Sequence, residues 1–451
     1  MKLNPLTAVS PIDGRYYQKT KFMQDYFSEY ALFKYRLIVE LKYLQFLSTK
    51  RIIRKFTKQE KLILAKLVKN FSPKEAVLVK KIEKKTNHDV KAVEYYIKKK
   101  LAKSSLRDVL EFVHFCLTSN DVNNTAYALM VRDYIKLFNV VNLKKLLTKL
   151  EQLANKYASL PMLARTHGQP ASSTTLGKEF NVFASRLRQQ FQQLQEFNIK
   201  AKLSGATGTY ASFKSVIPDL DPIKFSRDFI MALGLEPNLI TTQIEPHDNL
   251  AELFHLMIRI NNILLDLTKD MWIYIMQDYF KLKVIKGEVG SSTMPQKVNP
   301  IDFENAEGNL GMGNSFFSHM SLKLPVSRLQ RDLSDSTVMR NVGVGFAYNE
   351  IAYSSLLKGL NKIEVNHEKI KSELKDRWEL LAEPYQQVFR KYSVKNAYEI
   401  LKNLSRGKNI TRDDLHKLLD KINIPEHEKV KLRELTPETY IGVAEKLAKL
   451  K

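Results

Sequence analysis

From Asp248 onward the chain reads "DNLAELFHLMIRINNILLDLTKDMWIYIM", about thirty residues with neither proline nor glycine. A helix of that length exceeds the usual 8–20 residues of globular helices and predicts a long bundle or coiled coil. Asp248 is a suitable N-cap, because its carboxylate accepts from the free amides of a first turn. The run does not read as a membrane span, since His255, Arg259 and two asparagines interrupt its apolar residues. Two further stripes recur at steps of three and four. One comprises Leu143, Leu146, Leu147, Leu150, Leu153, Ala154 and Tyr157; the other Phe180, Phe183, Ala184, Leu187, Phe191, Leu194 and Phe197. Alternating strands are scarce; only short pieces such as "KSVIP" near 214–218 have an extended pattern, and no sheet is expected. The pattern predicts an all-α, elongated protein.

With 451 residues, a single compact core is too small a solution, and two or three domains are expected. The boundaries fall near residue 108, where "LAKSSLRD" stops one helix and caps another, and near 361. These give an N-terminal helical domain (1–108), a central long-helix domain (109–361) and a C-terminal domain (362–451) of shorter helices broken by Pro384, Gly407 and Pro425. The formal net charge is +24, which suits nucleic acid, an anionic membrane face or a polyanionic small substrate. The lysines are dispersed along helices, as in "KKIEKK" and "YYIKKKLAK", and read as a solvated surface. A single cysteine, Cys116, excludes an intrachain disulfide. The N-terminus lacks the apolar stretch of a signal peptide, and the expected location is the cytoplasm.

Several polar stretches break the helical pattern: "SPIDGRY" (10–16), "TNHDVKAVEY" (86–95), "TSNDVNN" (118–124), "RTHGQPAS" (165–172), "GEVGSSTMPQKVNP" (287–300) and "SRLQRDLSDSTVMRN" (327–341). Singly, each has an ordinary explanation as a cap, a turn or a helix end followed by Pro170. Together they gather donors, acceptors and a histidine where a bundle would otherwise stay apolar. Other chemistries lack their marks. The chain has no phosphate-binding glycine loop after a strand, no paired-cysteine or H-E-x-x-H spacing, and no G-x-S-x-G elbow. His-Asp pairs at 88–89 and 247–248 lack a third clustered ligand, so no metal and no cofactor is expected.

"GSSTMPQKVNP" resembles the signature loop of the fumarase/aspartase superfamily, and "THGQPA" resembles its histidine segment. Within the superfamily, the first stretches above, with "TTQIEPHD" and "RDLSDSTVMRN", look like the adenylosuccinate lyases of the longer bacterial type, in order from about residue 4 to the C-terminus. Gln296 falls on the variable position of the signature. The resemblance implies β-elimination of fumarate from adenylosuccinate, giving AMP. It implies the same reaction on succinylaminoimidazole carboxamide ribotide (SAICAR), giving AICAR. It also implies a homotetramer whose sites take residues from three chains, with no nucleic acid and no membrane partner.

By the same resemblance, Ser291 is the general base and His167 the general acid, with Glu304 orienting the histidine. Lys297 and Asn299 are suited to hold the carboxylate that gathers charge in the carbanion-like intermediate, because preorganised donors at a developing charge lower the barrier. A serine hydroxyl is a poor base unaided; the Lys297 charge and close backbone amides of a small-residue loop are what would activate it. The resemblance assigns Arg15, Tyr16, Arg331, Ser336 and Arg340 to the nucleotide and phosphate. It assigns Asn87, His88, Asp89, Thr118, Ser119, Gln243, Ser292 and Asn305 to the succinyl and base region. His88 has the alternative of a simple cap. The remaining histidines, among them His114, His255, His319, His367, His416 and His427, read as structural or surface residues. Two other functions compete: another fumarate-releasing lyase of the superfamily, such as argininosuccinate lyase, and a basic helical nucleic-acid-binding protein. The phosphate-suited Arg331, Ser336 and Arg340 weigh against the first, the ordered motif set against the second.

Overall fold

The computed structural model describes every residue except 1–3, 288, 289, 291, 408 and 409. Its principal elements in chain order are α1 (Glu29–Thr49), α2 (Pro73–Thr86), α3 (Asp89–Leu101), α4 (Ser119–Tyr134), α5 (Val140–Lys156), a hairpin of β1 (Pro161–Thr166) and β2 (Gln169–Thr175), α6 (Leu176–Glu196), α7 (Asp248–Met276), α8 (Ile301–Lys323), α9 (Ser334–Met339) and α10 (Val342–Lys362). Four short helices follow, α11 (Ala382–Lys391), α12 (Ala397–Ser405), α13 (Arg412–Lys421) and α14 (Glu426–Glu434). Sheet is confined, among the described residues, to three two-stranded pieces. The fold is all-α.

The long run that begins at Asp248 is one helix of 29 residues. Its length follows from the absence of any residue that removes an amide or favours a left-handed backbone. The structure settles two local alternatives. "KSVIP" is not extended: Ala211–Val216 forms a short helix that buries Phe213 against the Phe225 ring, with centroids 5.6 Å apart. Burial of one aromatic outweighs the β propensity of Val216 and Ile217. "RTHGQPAS" is not a helix end either. It is the end of β1, the turn and the start of β2 in the hairpin, which pairs antiparallel from Pro161–Thr175 to Thr166–Gln169.

Contacts divide the chain into two compact units. The first holds residues 1–143, 190–262 and 308–354; the second holds 144–189, 263–307 and 355–451. In the first, Phe254, Phe317 and Phe346 form an aromatic cluster, with Phe317 and Phe346 edge-to-face at 5.1 Å. All three are fully buried, and each contributes about 2–3 kcal/mol of apolar transfer. Beside them runs a buried polar network. Asn261 donates to Asn314 at 2.8 Å and to Asn349 at 2.9 Å, and Asn349 donates to Tyr353 at 3.2 Å. Such a network is satisfied in one register of α7, α8 and α10 and broken by a slip of one turn. Gly313 belongs to it sterically, since a Cβ there would lie 2.4 Å from the Asn349 amide oxygen.

In the second unit, α11 to α14 close around Leu381, Tyr385, Phe389, Leu401, Leu415 and Leu419. Thr411 and Asp414 cap α13 reciprocally. The hairpin is tied to this unit by Arg165 Nη2 to Glu373 at 2.8 Å and by Ser173 Oγ to the Pro437 carbonyl at 2.5 Å. Where α6 begins, Gly177 packs on the end of α5. A Cβ at that position would sit 2.3 Å from the Ala154 carbonyl oxygen and 2.5 Å from Ala158 Cα. Because the neighbours are backbone, they cannot rotate away. Gly177→Ala is therefore expected to destabilise the chain by about 2 kcal/mol or more, read as a lowered midpoint in thermal or denaturant unfolding. Gly168→Ala, whose Cβ meets nothing within 4 Å but whose φ is +74°, should cost about 1 kcal/mol, from backbone strain alone.

Candidate active site

Polar segments of the first unit converge through α4. Its first residues, Thr118 and Ser119, stand at a helix start fixed by Asp121, whose carboxylate accepts from the Thr118 amide at 2.9 Å. The same carboxylate accepts from the Ser204 amide at 3.0 Å, the Gly205 amide at 3.2 Å and the Lys202 ammonium at 2.8 Å. Both charged side chains are fully buried. Burial pulls the Lys202 ammonium below its ordinary range, and the Asp121 charge opposes that shift. Asp121 thus pins the loop 202–206 to the start of α4. Gln243 completes the join: its Nε2 donates to the Ala206 carbonyl at 2.9 Å, and its amide donates to the Gln330 carbonyl at 3.3 Å.

The α2–α3 turn presents the next group. Asn87 takes a left-handed conformation (φ 52°), which ends α2. His88 caps α3, its Nδ1 accepting from the Lys91 amide at 3.2 Å. The ring is half-exposed. Asp89 lies between two arginines, 2.6 Å from Arg36 Nη2 and 3.5 Å from Arg340 Nη2. Burial pushes its carboxyl up, but Arg36 and the hydrogen bonds more than offset that and hold it below the usual carboxylate range. Arg340 also meets Glu29 at 2.6 Å. It borders a cleft of about 210 Å³ lined as well by Asp13 and Tyr17, so the ends of "SPIDGRY" and "STVMRN" meet there. Arg15 is exposed and Tyr16 half-buried on the turn closed by the Gly14 amide to the Ser10 carbonyl at 2.9 Å. Arg331 Nη2 approaches Asp335 at 3.9 Å, and the Ser336 amide donates to the same carboxylate at 2.7 Å.

The second unit carries the residues expected to do the chemistry. His167 and Gly168 form the two-residue turn of the hairpin, with φ of 52° and 74°. Two positive φ values suit the twist of a tight hairpin and lift the imidazole clear of both strands. His167 is exposed and makes no hydrogen bond among the described residues. Ser291 lies outside the described residues. Around it, Asn299 Nδ2 donates to the Gly290 carbonyl at 2.7 Å, and the Lys297 amide donates to the Met294 carbonyl at 3.1 Å. Gly290 leaves no room for a Cβ, which would fall 2.0 Å from the Lys297 carbonyl oxygen. Ser292 and Lys297 are exposed. Glu304, one turn into α8, accepts from Trp272 Nε1 at 3.2 Å, and Asn305 accepts from Ser355 Oγ at 2.7 Å. No hydrogen bond joins His167 to Glu304.

Against known proteins, a lyase family model matches residues 14–312, and a model for the adenylosuccinate lyase C-terminal region matches 327–441. Adenylosuccinate lyases from Legionella pneumophila (strain Corby) and Escherichia coli (strain K12) are 49% and 47% identical. The first covers 100% of this chain and 99% of the relative, the second 98% of each. The chain belongs to the adenylosuccinate lyase family. At the level of fold alone, it is similar to a fumarate lyase from Mesorhizobium sp. BNC1 (TM-score 0.77, 18% identity, 95% and 96% of the two chains covered). It is likewise similar to 3-carboxy-cis,cis-muconate lactonizing enzyme from Pseudomonas putida (TM-score 0.74, 19% identity, 95% of each chain).

For this member of the adenylosuccinate lyase family, the sequence reading named candidate site residues and missed the side chains that support them. Asp121 sat inside a quoted motif without a role, and Lys202, Arg36 and Trp272 had no motif around them. His247 was quoted in "TTQIEPHD" but not assigned. It is buried, 3.7 Å from Glu245 and 3.9 Å from Asp335, which it helps hold ionised against the upward push of burial. Asp121→Asn is expected to cost about 3–5 kcal/mol, because it strands a buried ammonium. Urea unfolding of Asp121→Asn and of Asp121→Asn/Lys202→Met measures it, and the double variant should recover part of the loss.

Proposed function

We propose that this chain eliminates fumarate from adenylosuccinate, leaving AMP, and from SAICAR, leaving AICAR. The observation that carries the reading is full-length identity of 47–49% to adenylosuccinate lyases. In the proposed reaction, Ser291 takes the proton from the carbon beside one carboxylate. The electron pair forms the new C=C bond of fumarate, and the C–N bond at the neighbouring carbon breaks. His167 donates the proton that the departing nitrogen needs, for which imidazole is suited near neutral pH. Lys297 and Asn299 hold the carboxylate that gathers charge. The exposed tip position of His167 leaves its imidazole free to meet a ligand.

Glu304 acts as the carboxylate partner of the histidine system, with Trp272 holding one of its oxygens. Arg331, Ser336 and Arg340 take the phosphate, with Arg15 and Tyr16 at the nucleotide; for Arg340 this means exchanging Glu29 for a phosphate, a stronger acceptor. Asn87, His88, Asp89, Thr118, Ser119, Gln243, Ser292 and Asn305 line the remainder of the substrate. Asp89 does so indirectly, by holding Arg36 and Arg340.

The working form in this reading is a homotetramer with shared sites, in the cytoplasm, and the chain divides into domains at about residues 108 and 361. In support, α7 and α8 carry large apolar side chains that the single chain leaves exposed, including Trp272, Met276, Ile301, Met312 and Leu322. No helix among the described residues is long and apolar enough to cross a membrane. The reading calls for no metal or redox cofactor, so dialysis against a chelator should leave the rate unchanged, and activity restored only by a divalent ion would contradict it.

Ser291→Ala should lower turnover by about a thousandfold or more while substrate binding changes little, since the hydroxyl acts on a proton and adds little ground-state affinity. Lys297→Ala should weaken both, because it meets a carboxylate already present in the substrate. Mixing inactive Ser291→Ala and His167→Ala tetramers under subunit exchange should restore part of the activity. No recovery despite demonstrated exchange would overturn the shared site, and near-normal turnover of Ser291→Ala would overturn its role as base.

A further inference from the structure

The two lysine-rich stretches that read as solvated surface, "KKIEKK" and "YYIKKKLAK", face each other across a groove between α2 and α3. The groove encloses about 660 Å³ and is lined by Lys81, Lys85, Lys99, Lys100 and Lys103, with Leu78, Ile82, Tyr95 and Tyr96 beneath them. No carboxylate lines it. Elsewhere on the same helices several lysines are neutralised: Lys80 pairs with Glu29 and Glu83, and Lys91 and Lys98 both pair with Glu94. Within the groove, only Lys100 has a counter-ion, Glu75 at 2.7 Å, at one end. Four ammonium groups in one concavity repel one another and concentrate anions.

We propose that this groove binds a nucleoside polyphosphate at a second site, separate from the arginine set. None of Arg331, Ser336 or Arg340 lines it. Three features select this class of ligand. The volume falls within the range of about 300–1,000 Å³ that holds small organic ligands and cofactors. Lysines act as point charges and suit a flexible chain of phosphates, without the fixed bidentate geometry that arginine imposes. The apolar floor, with the Tyr95 ring and Leu78 44% and 41% exposed, offers a flat ring a surface to stack on. A nucleic-acid strand would need positive charge continuing along its path, and the carboxylate partners of Lys80, Lys91 and Lys98 interrupt it. The groove also reaches Thr86, the residue before Asn87 and His88, so its occupant touches the turn that presents both.

Calorimetric titration of the full-length chain with ATP at low salt tests the proposal. Saturable binding should persist in Arg340→Ala and weaken by about tenfold or more in Lys85→Glu/Lys99→Glu, since reversing two charges removes most of the local field. Inorganic tripolyphosphate should bind more weakly than ATP, and Tyr95→Ala should narrow that difference. All substituted side chains of the groove are exposed, so circular dichroism and melting should be unchanged, and the milder Lys81→Ala/Lys99→Ala pair serves if charge reversal perturbs the fold. The site is overturned if ATP fails to bind, if its binding is lost in Arg340→Ala instead, or if it is untouched by the lysine variants. Equal affinity for tripolyphosphate, or tighter binding of a short single-stranded RNA, overturns the nucleoside polyphosphate as its ligand.

Discussion

A single buried carboxylate organises the part of the candidate site carried by the first unit. Asp121 accepts from two segments of backbone and from a fully buried lysine, and no other described side chain joins so many pieces of the candidate site. Placing two charges out of water is expensive, by several kcal/mol per ion, and their attraction only partly offsets it. Such a pair is therefore poor value as a source of stability and useful as a constraint on geometry. It admits one arrangement of the α4 start and the 202–206 loop, the arrangement in which Thr118, Ser119 and Gln243 stand on neighbouring backbone.

Electrostatics around the arginines follow the same logic in a wetter setting. Asp89 fixes Arg36, which is buried, and touches Arg340, which is not. Glu29 occupies the outer face of Arg340. Ion pairs at such half-exposed positions are worth little, about 0–1 kcal/mol, so the proposed exchange of Glu29 for a phosphate costs little. In the second unit the corresponding device is steric: Gly290 lies against the Lys297 carbonyl, and Asn299 clasps Gly290. The signature loop is thus folded on itself by its own small residues.

How much of this could be read from the sequence depended on the range of the signal. The 29-residue α7 was legible because helix breakers are local and their absence is visible. The hairpin under His167 was not, since "RTHGQPAS" alternates too weakly to announce strands, and its Pro170 suggested an ending where the structure has a turn. The residues proposed to meet a ligand carry motif signals. Their supports do not: Lys202 pairs with Asp121 from 81 positions further along the chain, and Trp272 reaches Glu304 from a different helix. Nothing in the local pattern distinguishes such a lysine from the many that face solvent. The groove of α2 and α3 shows the converse, since its lysines were legible individually and only the fold shows that they lack counter-ions together.

The account rests on one reaction, and its most direct measurement is fumarate release. Purified, oligomeric chain incubated with adenylosuccinate should produce fumarate and AMP in equal amounts, with loss of the substrate's ultraviolet absorbance, and should do the same with SAICAR and AICAR. Argininosuccinate should be left intact. Folded protein that leaves both succinylated nucleotides unchanged, or that releases fumarate only from a substrate without phosphate, would contradict the assignment and with it the role given to Arg331, Ser336 and Arg340.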